Sequence, residues 1–250
     1  MKLELALENW EMFAEGVWVT LHLTALSLAV GFLIALPAAL ALHRGSRFAP
    51  AVSGFVYLFR GTPLLVQAYL IYYGLAQFEW VRAGPWWVIL REAWWCALIA
   101  FSLNSAAYQT EILRGAFATI PRGELEGARA LGLPERLVTW LVLLPSSLRR
   151  ALPQYGNETV FMLHGSVVAS VITLQDILGA GRTLNARYYL AYEGLVTAAI
   201  LYMALTFALV GIFRLIERRY LRHLNIPAAQ TPARTGLATV GAPALASAAR

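Results

Sequence analysis

Long apolar segments alternate with short polar ones along most of this chain. Five apolar segments stand out, at residues 17–42, 51–78, 93–113, 153–172 and 189–213. At 1.5 Å of rise per residue, a helix formed by each segment is long enough to cross a hydrocarbon layer about 30 Å thick. The pattern predicts an all-α integral membrane protein with five transmembrane helices.

The fourth segment is the least apolar of the five. It carries Asn157, Glu158 and His164 at positions that would lie within the membrane. Polar and ionisable side chains are costly at that depth in lipid, so they usually face protein or a water-filled cavity. We therefore expect the fourth helix to turn these residues toward protein or water.

The polar residues at the start of the chain bear on its orientation. Residues 1–16 contain one lysine against Glu4, Glu8, Glu11 and Glu15. A secretory signal peptide has a basic start and a shorter apolar stretch, so the first segment is predicted to be an uncleaved transmembrane helix. Residues 1–16 would then form an acidic external N-terminus.

The placement of arginines agrees with that orientation, because cytoplasmic loops carry an excess of Lys and Arg. With the N-terminus outside, the outer segments hold only Lys2, Arg82, Arg91, Arg182 and Arg187. The inner segments hold Arg44, Arg47, Arg114, Arg122, Arg129, Arg136, Arg149, Arg150, Arg214, Arg218, Arg219 and Arg222. Residues 225–250, rich in Ala, Pro, Thr and Gly, are predicted to be a disordered cytoplasmic tail.

Composition removes several classes of function. The 250 residues are 59% hydrophobic and 14% charged, against about 25% charged in soluble domains. The single lysine, Lys2, rules out a Walker A phosphate loop, so this chain does not bind ATP in that manner. The single cysteine, Cys96, rules out an internal disulfide and a cysteine metal cluster. The basic balance is typical of cytoplasmic arginines in a membrane protein, and we expect no nucleic-acid partner.

A polar insert, residues 116–145, separates the third and fourth apolar segments and is predicted to form two short helices. Pro121 suits the first turn of a helix, Gly132 the left-handed position past a helix end, and Pro134 the start of a second helix. Pro145 would close the insert. Apolar stripes are predicted at Leu125, Ala128 and Leu131 in the first helix, and at Leu137, Trp140, Leu141 and Leu144 in the second. Periodicity alone is equally compatible with an amphipathic loop on the membrane surface.

The insert also contains a spaced motif. It reads Glu126-Gly127-Ala128, three residues, Gly132, nine residues, and Val142-Leu143-Leu144-Pro145. This resembles the EAA loop of importer-type ABC permeases, whose pattern is Glu-Ala-Ala, three residues, Gly, nine residues, Ile, one residue and Leu-Pro. Gly127 and Val142 depart from it, and the glycine costs about 1 kcal/mol of helix propensity. The resemblance implies docking on a cytoplasmic ATPase through Glu126, Gly127, Ala128, Gly132, Leu144 and Pro145. Glu126 is our candidate for the residue that holds the loop in register.

Other stretches resemble the polar-amino-acid branch of the same family. They are "FRGTPLLVQ" (59–67), "AAYQTEILRGAF" (106–117), "LPQYGNETVFMLHGSVVAS" (152–170) and the stretch at 176–207. In detail they look like the M-type permeases of histidine/lysine/arginine/ornithine or opine uptake systems. The resemblance covers about residues 15–224 and implies that residues 17–224 form the transmembrane domain of an ABC importer.

That resemblance implies partners as well as a fold. It implies a bacterial inner-membrane chain that pairs with a second permease subunit, of the same or a sister sequence. It also implies a dimer of ABC ATPase subunits on the cytoplasmic side, which would bind ATP and Mg, and a periplasmic amino-acid-binding protein. No cofactor, metal or catalytic residue is expected on this chain.

The candidate substrate pathway is formed by Glu158, Asn157 and Asn104. Glu158 lies about 9 Å inside the fourth segment, where an unpaired charge is costly, so it requires a partner or a polar cavity. It would meet the cationic group of a transported amino acid, or it would form a structural pair with Arg60 or Arg149, or contact cytoplasmic water. Asn104 would line the same cavity or bond helices together.

A second group is predicted to have structural or gating roles. Arg60 would reach the interface or pair with an acid, and Gly61 and Pro63 would break the second helix and expose backbone groups along a pathway. Glu111 is expected to support the insert, through Arg114.

Other functions are left open by the residues themselves. The amino acid transported would be basic, or alternatively a neutral or acidic polar one. An integral membrane enzyme is a remoter alternative, because the four histidines are scattered and form no His-x-x-x-His pattern. A channel is also remoter, because it would not explain a two-helix insert with the EAA spacing.

Overall fold

The computed structural model describes residues 4–220, and the regular structure within that range is entirely helical. The predicted tail, residues 225–250, lies outside the described residues. The α-helices are α1 (Glu4–Glu8), α2 (Trp10–His43), α3 (Ala49–Gly61), α4 (Leu64–Tyr69), α5 (Glu79–Arg82), α6 (Trp87–Leu90), α7 (Ala93–Ala118), α8 (Arg122–Ala130), α9 (Glu135–Leu137), α10 (Leu144–Gly165), α11 (Ile177–Tyr188) and α12 (Glu193–Tyr220). The predicted all-α fold is confirmed.

Helix α2 is longer than the first apolar segment and begins at Trp10. Its 34 residues correspond to about 51 Å, well beyond a hydrocarbon layer of about 30 Å. It packs mainly on α7, and most of its buried residues are small, which allows helices to approach closely within a membrane. Its buried residues include Thr20, Thr24, Ser27, Gly31, Ala35 and Ala39.

The second apolar segment is broken where the sequence predicts a break. Helix α3 ends at Gly61, Thr62 and Pro63 are extended, and the next helix begins at Leu64. The two helices meet at an angle of 102°. Beyond α4 the chain continues through a π-helical turn (Leu70–Gly74) and a 3-10 turn (Leu75–Gln77) before the short helices α5 and α6. The break exposes carbonyl groups that need other partners.

Helix α7 is the centre of the fold and packs against α2, α3, α4 and α10. Its buried face is apolar at Phe101 and Leu113. It is polar at Ser102, Asn104, Ser105, Gln109 and Thr110. A helix with this many buried polar groups is stable in lipid only when neighbouring helices cover it and satisfy those groups.

The second helix of the insert is not a separate element. Helix α9 runs through a π-helical turn (Val138–Leu143) directly into α10, and the helical stretch continues through a 3-10 turn (Ser166–Ile172). The prediction that Pro145 closes the insert is therefore wrong. Pro145 lies in the first turn of α10, where it follows the π-helical turn. A turn widened in this way relieves the clash between a proline ring and the preceding turn.

Helix α11 was not predicted, because its residues resemble a loop in composition. It is bent by 45° from the helical stretch before it. Its first turn is capped by Asp176, whose Oδ1 accepts a hydrogen bond from the N–H of Gly179 (2.8 Å). A side-chain cap of this kind satisfies a backbone donor that the helix itself leaves free.

A tight junction, which we call the Asp176 corner (Thr20, Asp176, Gly181, Gly194 and Tyr202), joins α2, α11 and α12. Asp176 is fully buried and its Oδ2 accepts from the hydroxyl of Tyr202 (2.9 Å). Thr20 Oγ1 accepts from the N–H of the residue that follows Asp176 (3.4 Å). A Cβ added to Gly194 would collide with the carbonyl oxygen of Gly181, so α11 and α12 touch backbone to backbone.

Two helices, α2 and α12, are by themselves long and apolar enough to cross a membrane. Two bent pairs bring the number to four if each pair is one span: α3 with Leu64–Gln77, and Glu135–Ile172 with α11. Helix α7, the predicted third span, is long enough at 26 residues, but its buried polar residues lower its apolar character. Membrane crossing by all five predicted segments therefore stays a prediction.

Candidate functional site

A cavity of about 860 Å³ lies between α7, α10 and the break in the second segment. It collects residues that are far apart in sequence, and it includes all three members of the predicted substrate pathway. Its polar and charged lining residues are Arg60, Asn104, Tyr108, Glu111, Thr119, Arg150, Gln154, Asn157 and Glu158. Arg150, Tyr108 and Gln154 were missed from the sequence, because nothing in their local pattern marks them.

Glu158 is the buried carboxylate of this cavity, with 6% of its surface exposed. Its Oε1 accepts a hydrogen bond from Ser105 Oγ (3.2 Å), and Ser105 Oγ accepts one from Gln109 Nε2 (2.8 Å). Gln109 Nε2 also donates to the carbonyl of Leu28 on α2 (3.0 Å). A chain of hydrogen bonds thus fixes the carboxylate from α2 through α7, while the neighbouring Asn157 is exposed to the cavity.

Arg60, one of the structural partners proposed for Glu158, pairs with Glu111 instead (3.8 Å). Glu111 makes a shorter contact with Arg114 (2.6 Å), the residue through which it was expected to support the insert. The guanidinium of Arg60 also lies over the ring of Tyr108, 5.2 Å from its centroid. These charged groups form the boundary between the large cavity and a second one of about 710 Å³.

Asn104 both lines the cavity and bonds helices together, so the two predicted roles coexist. Its Nδ2 donates to Gln67 Oε1 (3.1 Å) and to the carbonyl of Phe59 (3.2 Å). Gln67 Nε2 donates to the same carbonyl (2.8 Å) and to Thr62 Oγ1 (2.8 Å). The two amides therefore satisfy backbone and side-chain acceptors freed by the helix break, and Gln67 is a site residue that the sequence did not single out.

The turn of the insert has the predicted form. Gly132 has φ +79°, and the N–H of Leu133 donates to the carbonyl of Ala128 (3.3 Å) while that of Gly132 donates to Arg129 (2.9 Å). This is the Schellman arrangement that ends a helix with a left-handed glycine. Across the turn, Arg129 Nε donates to Glu135 Oε1 (2.6 Å), and this hydrogen bond lowers the pKa of the Glu135 carboxyl.

The two helices of the insert do not bury the predicted stripes in full. Ala128 and Leu144 are buried and Leu125 is partly buried. Four members of the predicted stripes are instead exposed: Leu131, Leu137, Trp140 and Leu141. In the second helix of the insert, the buried residues are Val138, Thr139, Leu143 and Leu144. In the second helix the predicted stripe was wrong because the π-helical turn changes which residues share a face. In the first helix Leu131 is exposed because it lies past the end of α8.

The insert is anchored to the body of the protein by both apolar and polar contacts. Leu125 packs on a buried cluster formed by Ala35, Ala39, Leu113, Phe117, Ile120, Leu143 and Leu144. Arg44, at the end of α2, donates to Thr139 Oγ1 (2.9 Å). Glu124 accepts from Ser146 Oγ (2.9 Å) and from Arg150 Nη2 (3.2 Å). Glu124 is therefore the acid that links α8 to α10. Glu126, expected to hold the loop in register, is exposed to solvent, and its role stays a prediction.

Within residues 4–220, no group of three or more His, Cys, Asp or Glu side chains is placed to hold a metal ion. His164, on the cavity helix, hydrogen-bonds Thr206 of α12 (2.9 Å).

Comparisons with known proteins identify the family of this chain. Residues 27–222 match the sequence profile of the family described as binding-protein-dependent transport system inner membrane component. The chain is 42% identical, over 83% of its length and 86% of the relative, to the octopine transport system permease protein of Rhizobium meliloti. It is 39% identical, over 86% and 94%, to the arginine ABC transporter permease protein of Haemophilus influenzae. A crystal structure of an amino acid ABC transporter with histidines superposes with a TM-score of 0.77, at 30% identity, over 88% of this chain and 99% of that one.

Proposed function

Because this chain belongs to the family of binding-protein-dependent transport system inner membrane components, we propose that it imports basic amino acids through the cavity beside Glu158. The observation that supports this proposal most directly is the carboxylate of Glu158, which is buried, accepts a hydrogen bond from Ser105 and lies next to the exposed Asn157. A carboxylate in a low-dielectric cavity favours a cationic ligand. The relatives named for octopine and arginine support the same class of substrate.

The neighbouring amides give the cation a polar path through apolar surroundings. Asn157 and Asn104 both border the cavity, the first exposed and the second held by Gln67. Arg60 lines the same cavity and supplies a positive charge suited to an amino-acid carboxylate. A zwitterion with an additional positive side chain thus finds both signs of charge in one cavity of about 860 Å³.

The proposed topology has five crossings with the N-terminus outside and the C-terminus inside. The crossings are α2, the bent pair of α3 and Leu64–Gln77, α7, α10 and α12. This order places Arg44 and the insert, with its arginines, on the cytoplasmic side, in agreement with the excess of positive residues in cytoplasmic loops. It places α11 on the periplasmic side of a bacterial inner membrane.

The insert serves as the coupling loop. Glu126 and Gly127 are exposed on α8, and Ala128, Gly132, Leu144 and Pro145 shape the two helices that carry them. A dimer of ATPase subunits binds ATP and Mg, and its closure displaces the loop and switches the cavity between inward and outward access. The ATPase dimer must bind the inward-open and outward-open states with different free energies, because otherwise its closure would not shift the population between them.

Two further partners complete the transporter: a second permease subunit and a periplasmic amino-acid-binding protein. The family description supports the latter, since it names a binding-protein-dependent system. ATP hydrolysis belongs to the ATPase partner in this division, because the single lysine of this chain leaves no Walker A loop.

The test is reconstitution of the chain with its ATPase and binding protein in proteoliposomes. Uptake and ATP hydrolysis are measured for arginine, lysine, histidine, glutamine and glutamate. Basic amino acids should stimulate hydrolysis and accumulate inside, and the purified chain alone should hydrolyse no ATP. Accumulation of glutamine or glutamate in preference to the basic amino acids would reject the proposed substrate class.

A further inference from the structure

Arg150 occupies a position shared by two functional parts of the protein. It lines the large cavity from α10, and its Nη2 donates to Glu124 Oε1 on α8 (3.2 Å). The other oxygen of Glu124 accepts from Ser146 Oγ, one helical turn before Arg150 (2.9 Å). Both oxygens of one carboxylate are thus held by the helix that forms the cavity wall.

Apolar packing reinforces this contact along the same side of α8. Leu125, the next residue, packs on the buried cluster that includes Leu143 and Leu144. Ala128, one turn further, is buried. The attachment of α8 therefore combines the hydrogen bonds of Glu124 to α10 with apolar packing on the π-helical turn that leads into α10, and is not a single surface ion pair.

The pair is also partly removed from water. The side chains of Arg150 and Glu124 are 21% and 38% exposed, and the Nε atom of Arg150 is buried without a hydrogen-bond partner among residues 4–220. The Nε of the Arg150 guanidinium already lacks a hydrogen-bond partner. Loss of Glu124 would therefore leave its Nη2 without this acceptor as well, beside the cavity. Partly buried pairs are screened less than exposed ones.

We propose that Glu124, Ser146 and Arg150 form a latch that keeps the coupling helix α8 rigidly attached to the cavity wall throughout the transport cycle. Arg150 is then a positioning residue: it transmits displacement of α8 to the cavity without itself contacting the ATPase. This inference rests on the proposed function, since it assigns the route by which the ATPase acts on the cavity.

The first experiment measures amino acid transported per ATP hydrolysed by the reconstituted transporter. Glu124→Gln and Arg150→Gln should each lower this ratio by about fivefold, because they weaken the coupling between two sites. The exchanged pair, Glu124→Arg with Arg150→Glu, should recover most of the ratio. Arg122→Gln, which neutralises an exposed cation on the same helix, is the control and should leave it unchanged. A normal ratio in Glu124→Gln would overturn the proposal.

A second experiment tests whether the latch stays closed. Cysteines are placed at Glu124 and Ser146 in a chain carrying Cys96→Ser, and are joined by a short thiol-reactive cross-linker. Transport by the cross-linked complex should persist, since a rigid contact is not broken during the cycle. Arrest of transport on cross-linking would show that the contact opens and would reject a permanent latch.

These outcomes are separate from the test of the proposed function. Failure of the wild-type complex to transport basic amino acids would reject the proposed function. A wild-type complex that transports normally, with variants that keep a normal transport-to-hydrolysis ratio, would reject the latch alone.

Discussion

Asn104 Nδ2 donates a hydrogen bond to Gln67 Oε1 over 3.1 Å, and this contact ties the central helix to the bent second segment. Both amides also bond the carbonyl of Phe59, which the break in the helix leaves without its helical partner. A right-angled break within a membrane is stable only when such groups are satisfied by protein. The bend and the two amides are therefore one structural unit.

The replacement Asn104→Leu should destabilise this unit. The change removes the Asn104 amide donor and leaves Gln67 Oε1 without this hydrogen bond. The free energy of unfolding should fall by about 1 kcal/mol. The measurement is the thermal unfolding midpoint of the purified chain in detergent. Asn157→Leu, at an exposed position of the same cavity, is the control, and an equal shift for both variants would contradict the role assigned to the Asn104 bond.

The replacement Glu158→Gln should reduce uptake of cationic amino acids by about tenfold, since a charge-assisted contact is lost while the shape is kept. Uptake of neutral amino acids, if measurable, should change less. The control is Ser105→Ala, which removes the hydrogen bond to Glu158 but keeps its charge. Equal losses for cationic and neutral substrates in Glu158→Gln would assign the carboxylate a structural role.

The replacement Gly132→Val should uncouple transport from ATP hydrolysis. A β-branched residue at φ +79° is strained by about 1–2 kcal/mol, so the turn between α8 and α9 would open. The measurement compares uptake with hydrolysis in proteoliposomes. Gly123→Val, at a position where a Cβ meets open space and φ is ordinary, is the matched control; unchanged uptake in Gly132→Val would reject the rigid coupling loop.

The replacement Gly127→Ala should stabilise α8. A Cβ at this position would meet no atom within 4 Å, and alanine is favoured over glycine in a helix by about 1 kcal/mol. Amide hydrogen exchange across residues 122–130 should slow in the variant. Faster exchange would mean that the glycine supports the helix in a way that its open surroundings do not reveal.

The features that the sequence predicted correctly are local in origin. Gly61 and Pro63 interrupt a helix by their own backbone chemistry, and Gly132 ends one for the same reason. The apolar segments follow from composition over about 20 residues, although the ends of the helices depend on contacts: α2 begins before its apolar segment, at Trp10. The expectation that polar residues at membrane depth face a shared cavity correctly grouped Glu158, Asn157 and Asn104.

The features that were missed depend on partners distant in sequence. Glu124 and Arg150 are separated by 26 positions, and no local pattern distinguishes Glu124 from Glu126. Gln67 acquires its role only because the chain bends and Asn104 arrives from another helix. The π-helical turn before Pro145 is likewise a response to the proline and to the packing of Leu143 and Leu144.

The Asp176 corner limits how the domain can deform. The backbones of α11 and α12 touch at Gly181 and Gly194, so no side chain lies between them that could change rotamer and let the helices slide. Tyr202 and Thr20 fasten the same corner to α12 and α2. The helices α2, α11 and α12 therefore form one rigid body. A displacement delivered from α8 to α10 must then be taken up where α10 packs on α12, because α12 is fixed to α2 and α11.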